Sequence, residues 1–284
     1  MKIGKYTLHE VQTGYIGLDG GAMFGVVPKP LWEKTNPCDD TNRVTLDTRC
    51  LLLKNGERQI LIDTGIGDFW EDKFKQIYRV EYSNILNDSL KRAGTSAEQI
   101  TDVILTHLHF DHTGGSSKME NGKWVPAFPN AMYYVQKKHF DWAINPSDRD
   151  RASFIQNRFL PLIENGVLTL IDGNNEFDDE IEFLPINGHT FGQQMVKISD
   201  GSNTLLYCGD LMPFSSHIPL PYVMGYDLQP IVTVDEKRGI LQRAVAEEWK
   251  LYFEHDPYFA VATAAKTDKG FVHKEKFKTL DLVK

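Results

Sequence analysis

The hexapeptide His107-Leu108-His109-Phe110-Asp111-His112 puts three imidazoles and a carboxylate into six consecutive residues. Imidazole nitrogen and carboxylate oxygen are the donors that borderline and hard divalent cations such as zinc accept. Histidines at i and i+2 of an extended chain project to the same side, so His107 and His109 can share one ion. Asp111 and His112 follow the bend and can reach a second position beside the first. Gly114-Gly115 lets the chain turn closely around such a site, where a Cβ would obstruct it. A lone histidine pair is usually polar surface or a single structural zinc site, but four ligand-type residues in six positions do not arise readily by coincidence.

Rigid elements must present these donors. Val103-Ile104-Leu105-Thr106-His107 reads as a buried strand running out into a turn. Further β-rich runs fall at Tyr6 to Val11, Arg49 to Leu53, Gln59 to Ile62, Ala131 to Val135, Val167 to Ile171, Ile181 to Leu184, Met195 to Ile198, Thr204 to Cys208 and Ala260 to Thr263. Lys54-Asn55-Gly56-Glu57 joins two of them and predicts a hairpin with a type I′ turn, for which Asn-Gly supplies positive φ. Thr233-Val234-Asp235-Glu236 has the spacing of a capping box, and Ile240, Leu241, Ala244, Val245 and Trp249 then form a stripe at helical spacing. Ser83 to Ala93 and Arg151 to Phe159 are further helix candidates. Strands grouped as hairpins and mixed with helices predict α+β layers, two facing sheets with helices outside. No repeat, low-complexity stretch or long linker interrupts the chain, so residues 1–284 are expected to form a single domain.

Composition narrows the function classes. A chain of 284 residues with 41% apolar content can bury a sizeable core. The formal net charge of −8 argues against a surface that neutralises phosphates, so no nucleic-acid partner is expected. Cys38, Cys50 and Cys208 are too few and too scattered for a disulfide framework and read as free thiols. The opening residues hold no apolar signal core, and no run of about 18 apolar residues occurs. No membrane partner is expected, and the cytoplasm is the expected address.

The His107–His112 segment matches the HxHxDH signature of the metallo-β-lactamase superfamily. That resemblance implies a four-layer αβ/βα sandwich with the metals at the open edge between two mixed sheets. Asn187-Gly188-His189-Thr190 resembles the family's later histidine motif, and Cys208-Gly209-Asp210 the motif whose carboxylate bridges both metals. Phe253-Glu254-His255-Asp256 stands where the last ligand is expected, and Leu61-Ile62-Asp63-Thr64-Gly65 resembles the early turn that supports the site from behind. The resemblance thus implies two divalent ions per chain, zinc being the expected metal. His107, His109 and His189 would hold the first, Asp111, His112 and His255 the second, with Asp210 between them. His9, His139 and His273 lack motif context and read as ordinary structural or surface histidines.

Two divalent ions side by side lower the pKa of a shared water to about 7, which supplies a nucleophile at neutral pH without serine or cysteine. Asp111, on one side, could take and return the proton. The implied reaction is hydrolysis of an ester-like bond, and a complete ligand set argues against a non-catalytic metal-binding scaffold.

Segments flanking the motifs bear on the substrate. Leu18 to Pro28 reads as an exposed Gly-rich apolar loop carrying Met23 and Phe24, and Phe214 and Tyr222 belong to a Pro-stiffened apolar stretch after Asp210. These four are the candidate substrate contacts, whereas Val26, Val27 and Leu220 are expected to be core. Gly20 to Pro28, Gly209 to Pro213 and His217 resemble the branch of N-acyl homoserine lactone lactonases and methyl parathion hydrolase-like phosphotriesterases. This implies a small-molecule lactone substrate with an apolar moiety, phosphotriesters as the alternative, and a homodimer. No basic cluster suits a glutathione thioester, and no β-lactamase branch motif is present. Lactonases of this branch carry a tyrosine three residues after the bridging aspartate, where this chain has Pro213. His217 is the candidate replacement beside the metals, and Tyr222 the alternative.

Overall fold

The computed structural model describes residues 1–82, 85–173 and 177–283. Two sheets carry the architecture. The first has seven strands in the order Lys2–Ile3, Tyr6–Val11, Cys50–Lys54, Gln59–Ile62, Asp102–Ile104, Met132–Gln136 and Leu168–Ile171. Its first four strands pair antiparallel and the remaining pairs are parallel. The second has six strands, Ile181–Ile186, Gln193–Ser199, Thr204–Tyr207, Lys250–Tyr252, Val261–Thr267 and Gly270–Phe277, antiparallel except where Thr204–Tyr207 runs parallel to Lys250–Tyr252.

Side-chain alternation along each strand explains the layers. Leu51, Leu53, Ile60, Ile62 and Ile104 face inward and meet Phe183, Val196, Ile198, Leu205, Tyr207 and Tyr252 of the opposite sheet in one buried cluster. Leu52, Leu61, Val103 and Tyr133 point outward, onto Leu90, Phe140, Ala143 and Leu162 of the covering helices. On the far side Met195, Leu206, Leu251 and Ala262 pack against Leu241 and Ala244 of the helix Pro230–Ala246. Because both faces of each sheet are covered, the strands read as near-continuous apolar runs, each buried side chain contributing roughly 1.5–3 kcal/mol. Helix, sheet, sheet and helix make the four-layer α+β sandwich. Ile3 and Leu280, from opposite ends of the chain, share its central core.

Several expectations are corrected. The long helix begins at Pro230, with Gln229 before it, so Thr233 lies inside the first turns and Glu236 is free for another task. Arg151 to Phe159 forms two short 3-10 turns, Arg151–Ser153 and Gln156–Arg158, instead of one helix. Ser83 lies outside the described residues; the helix there runs Leu86–Arg92. The Asn55-Gly56 hairpin has a four-residue loop in which only Gly56 takes positive φ, at 89°, and the Asn55 side chain accepts from the Glu57 and Arg58 amides. Gly20–Phe24 is a short helix capped by Asp19, not an exposed loop, and Val26 is 89% exposed instead of core. All three cysteines are free. Among the described residues no helix is long and apolar enough to cross a membrane.

Candidate metal centre

Parallel pairing delivers the ligands to one edge. Ile62 and Ile104 are register partners, so Asp63 and Thr106 leave adjacent strands side by side. The Asp63 carboxylate accepts from the Thr106 amide at 2.7 Å and hydroxyl at 2.6 Å, which fixes the start of the histidine segment. His109 then precedes the one-turn helix Phe110–Thr113, which carries Asp111 and His112. Gly114 returns so close to the preceding loop that a Cβ there would lie 1.9 Å from the Ile66 carbonyl. In the other sheet the parallel pair Thr204–Tyr207 and Lys250–Tyr252 releases Asp210 and His255 at the same edge. His189 sits on the turn after Ile181–Ile186, where the Glu236 carboxylate accepts from the Asn187 and Gly188 amides at 2.7 and 3.0 Å.

His109 Nδ1 lies 3.0 Å from His107 Nε2 and 3.1 Å from His189 Nε2. His112 Nε2 and His255 Nε2 face each other at 3.1 Å beside Asp111. Asp210 lies between the groups: its Oδ2 is 3.2 Å from His189 Nε2, its Oδ1 3.4 and 3.1 Å from His112 and His255 Nε2. All seven residues are buried.

The rear nitrogens settle which atoms face inward. His255 Nδ1 donates to the Asp47 carbonyl at 2.7 Å, His189 Nδ1 to Asp227 at 2.9 Å, and His112 Nδ1 to Glu254 at 3.0 Å and Asp63 at 3.1 Å. His107 Nδ1 reaches the Thr106 hydroxyl at 3.1 Å. With one ring proton held behind, the front nitrogen of each is the atom left for a cation, and nitrogens zinc-bound at about 2.0–2.1 Å would stand about 3.3 Å apart in a tetrahedron. The donor set therefore fits two cations, one on each side of Asp210.

Electrostatics agree. Burial pushes His107 and His109 well below the usual histidine range, helped by neighbouring imidazoles. Burial also opposes charge on Asp210, but His112, His255 and His189 outweigh it and hold that carboxyl far below its ordinary value. Against burial, Asp210 lifts His255 to about 9, and Glu254 with Asp210 lifts His112 well above its ordinary value. The cluster draws positive charge to itself.

Three residues behind the ligands escape a reading of the sequence. Glu254, buried, also accepts from the Tyr207 hydroxyl at 2.6 Å, and burial pushes its carboxyl up to about 8. Asp227 is 38 residues from the histidine it holds. His139 is a structural histidine, as expected, but its task was not legible: its Nε2 accepts the Leu108 amide at 2.8 Å and its Nδ1 donates to the Phe191 carbonyl at 2.9 Å, tying the two histidine motifs together. A charged residue at the end of the apolar run Leu251–Phe253 was a signal for Glu254; Asp227 and His139 carried none.

A cavity of about 330 Å³ opens over Asp111, His109, His189, Asp210 and His255. Its apolar wall includes Met23, Leu46, Phe110 and Met224, and Tyr78, Tyr226 and Arg149 complete it. Of the predicted substrate contacts, Met23 lines the cavity. Phe24 and Phe214 are buried behind it, and Tyr222 stands edge-on to Phe24 off the cavity wall. His217 does not line the cavity either. Its Nε2 donates to the Met23 carbonyl at 2.9 Å and its ring stacks on Phe24 at 4.8 Å, so the Ser215–His217 turn points it under the short helix instead of over the metals.

A two-sheet sandwich with a histidine and aspartate cluster at one edge defines a metal-dependent hydrolase. The chain belongs to the metallo-beta-lactamase superfamily, whose sequence profile matches residues 44–261. It is similar to a probable metal-dependent hydrolase from Staphylococcus aureus, with a TM-score of 0.90 and 27% identity over 100% of both chains. It is 26% identical to an N-acyl homoserine lactonase of Bacillus thuringiensis, across 75% of this chain and 82% of the lactonase. It shares its fold with AidC, a dizinc quorum-quenching lactonase, at a TM-score of 0.81 and 23% identity over 96% of this chain and 95% of that one.

Proposed function

We propose that the protein opens lactone rings, N-acyl homoserine lactones with an apolar acyl chain being the preferred class, with two zinc ions as the metals. The observation that carries this reading is Asp210, whose two oxygens face two separate donor groups at the floor of a largely apolar cavity. Similarity to the Bacillus thuringiensis lactonase supports the substrate class. His107, His109 and His189 would hold one ion, Asp111, His112 and His255 the other, and Asp210 both. The ions would supply an ionised water at neutral pH and a positive charge beside the attacked carbonyl. Asp111, at the cavity floor, takes the proton released on attack and returns it to the leaving ring oxygen. Asp227, Glu254, Asp63 and the Asp47 carbonyl keep His189, His112 and His255 in the tautomer that points Nε2 at the ions. Met23, Leu46 and Met224 offer the acyl chain an apolar wall.

The test is a substrate panel of homoserine lactones of increasing acyl length, aryl esters and an aryl phosphotriester, run on zinc-loaded protein. The highest kcat/KM is expected on a lactone. A phosphotriester or open-chain ester turned over at least tenfold faster than every lactone contradicts the reading.

A further inference from the structure

Apart from the ligand histidines, the side chains lining the cavity that can donate a hydrogen bond are Tyr78, Arg149, Ser153 and Tyr226. Three of these are placed or engaged in ways that leave them little freedom. The Arg149 guanidinium already donates to the Gly225 carbonyl. Tyr78 is set in an aromatic cluster, 4.5 Å from Phe74 and 4.8 Å from Phe110. Ser153 adjoins Phe154, whose ring lies against His109 at 4.8 Å.

Tyr226 differs. Its ring has no aromatic partner among the described residues and 39% of it is exposed; its hydroxyl, like that of Tyr78, makes no hydrogen bond among them. Its backbone, by contrast, is tied on both sides. The Gly225 amide donates to the Ala22 carbonyl at 2.7 Å, and the Leu228 amide to the carbonyl of His189 at 3.0 Å. Asp227, the next residue, holds the His189 ring at 2.9 Å. The same short segment therefore orients a metal-ligand candidate and presents an idle phenol to the space above it. Burial, then its electrostatic interaction with Tyr78 and the charges of Asp19 and Asp111, push the phenol well above its usual range, toward the protonated, donating form. A phenol on an apolar wall with its hydroxyl unpaired is suited to a polar ligand atom.

We propose that Tyr226 is a catalytic residue whose hydroxyl donates a hydrogen bond to the carbonyl oxygen of the bound ester. That oxygen gains the π electron pair as water oxygen bonds to the carbonyl carbon, and it returns the pair when the bond to the leaving oxygen breaks. The phenol keeps its own proton throughout, while the proton of the attacking water passes through Asp111 to the leaving oxygen. The inference rests on the hydrolytic reading of this site, not on the lactone as substrate.

Tyr226→Phe removes the hydroxyl alone, and the expected result is unchanged zinc content with kcat and kcat/KM falling together by about 10²-fold on whichever lactone or carboxylic ester of the panel the wild type turns over best. Tyr82→Phe, outside the cavity, is expected to change both by less than about threefold. A calorimetric titration with hexanoate, a simple member of the aliphatic carboxylate class that carboxylic ester hydrolysis produces, is expected to show about tenfold weaker binding to zinc-loaded Tyr226→Phe than to wild type. Rates within twofold of wild type overturn the proposal, as does a rise in KM alone. Should no lactone or carboxylic ester be turned over, the titration decides: equal affinities, or no binding by either protein, overturn it. Turnover of an open-chain ester but no lactone defeats the lactone reading and leaves the tyrosine comparison intact on that ester.

Discussion

The two donor groups that meet at Asp210 are held by different means. Around His107, His109 and His189 the support is mostly neutral and geometric: the Thr106 hydroxyl, the His139 clamp on Leu108 and Phe191, and one carboxylate, Asp227. Around Asp111, His112 and His255 the support is charged. His112 alone touches two buried carboxylates, Asp63 and Glu254, while His255 leans on the Asp47 carbonyl. Burial accordingly wins at His107 and His109, which are pushed down, and negative charge wins at His112 and His255, which are raised. The first position leans on shape, with only His189 raised by its carboxylates, and the second leans on charge, and variants should separate them.

The largest effect is expected where the groups join. Asp210→Ala removes the oxygen each side shares and leaves two cations unscreened at close range, so both ions are lost and kcat/KM falls by about 10³-fold or more. An Asp210→Ala protein that retains two ions and near-normal activity breaks the account of the bridge.

Next come the residues behind the ligands, where losses of about 10- to 100-fold in metal affinity are usual. Glu254→Gln is expected to weaken only the ion held by Asp111, His112 and His255, and Asp227→Asn only the other. Stepwise chelator titration of the cobalt-substituted protein, followed by its visible spectrum, separates the two. If both variants lose both ions in parallel, the contrast between the groups fails.

A smaller effect falls on acid stability. Burial pushes His139 down to about 4 and His217 to about 3. Their ordinary value in the unfolded chain is about 6.5, so the unfolded state binds protons first as pH falls. The stability of the neutral buried rings is fully present above about pH 6.5 and is lost as pH drops toward 4 and 3, by about 1.4 kcal/mol per pH unit for each group. His217→Asn should therefore flatten the acid limb of urea-unfolding stability by about one proton, with kcat changed less than about threefold because the ring lies under Met23. An unchanged acid slope contradicts the buried neutral state, and a hundredfold loss of kcat would restore His217 to the chemistry.

Residues whose neighbours are close in sequence were the easiest to read. The His107–His112 spacing and the flanking glycines announce a metal-type cluster because extended backbone and a tight turn convert spacing into geometry. The strand runs were legible because sheets covered on both faces demand unbroken apolar segments. Where a contact spans the sandwich, local pattern fails. Glu236 has capping-box spacing from Thr233, yet its carboxylate is taken by the amides of Asn187 and Gly188, which follow a strand of the sheet this helix covers. His217 follows Asp210 closely, but the turn and the Met23 carbonyl draw its ring away from the cavity. Tyr222 and Tyr226 look alike in an apolar, Pro-rich stretch; the bonds to Ala22 and His189 place Tyr226 at the cavity. Arg151 to Phe159 has helical composition, but Phe154 packs on His109 and His139 and the chain breaks into two turns around it.

The central claim is that one carboxylate joins two ions, and it is tested most directly by anomalous diffraction at the zinc edge from zinc-loaded crystals. The account predicts two peaks per chain, about 3.5–4 Å apart, one among His107, His109 and His189 and one among Asp111, His112 and His255, with Asp210 between them. A single peak, or two peaks of which one lies out of reach of Asp210, would contradict it.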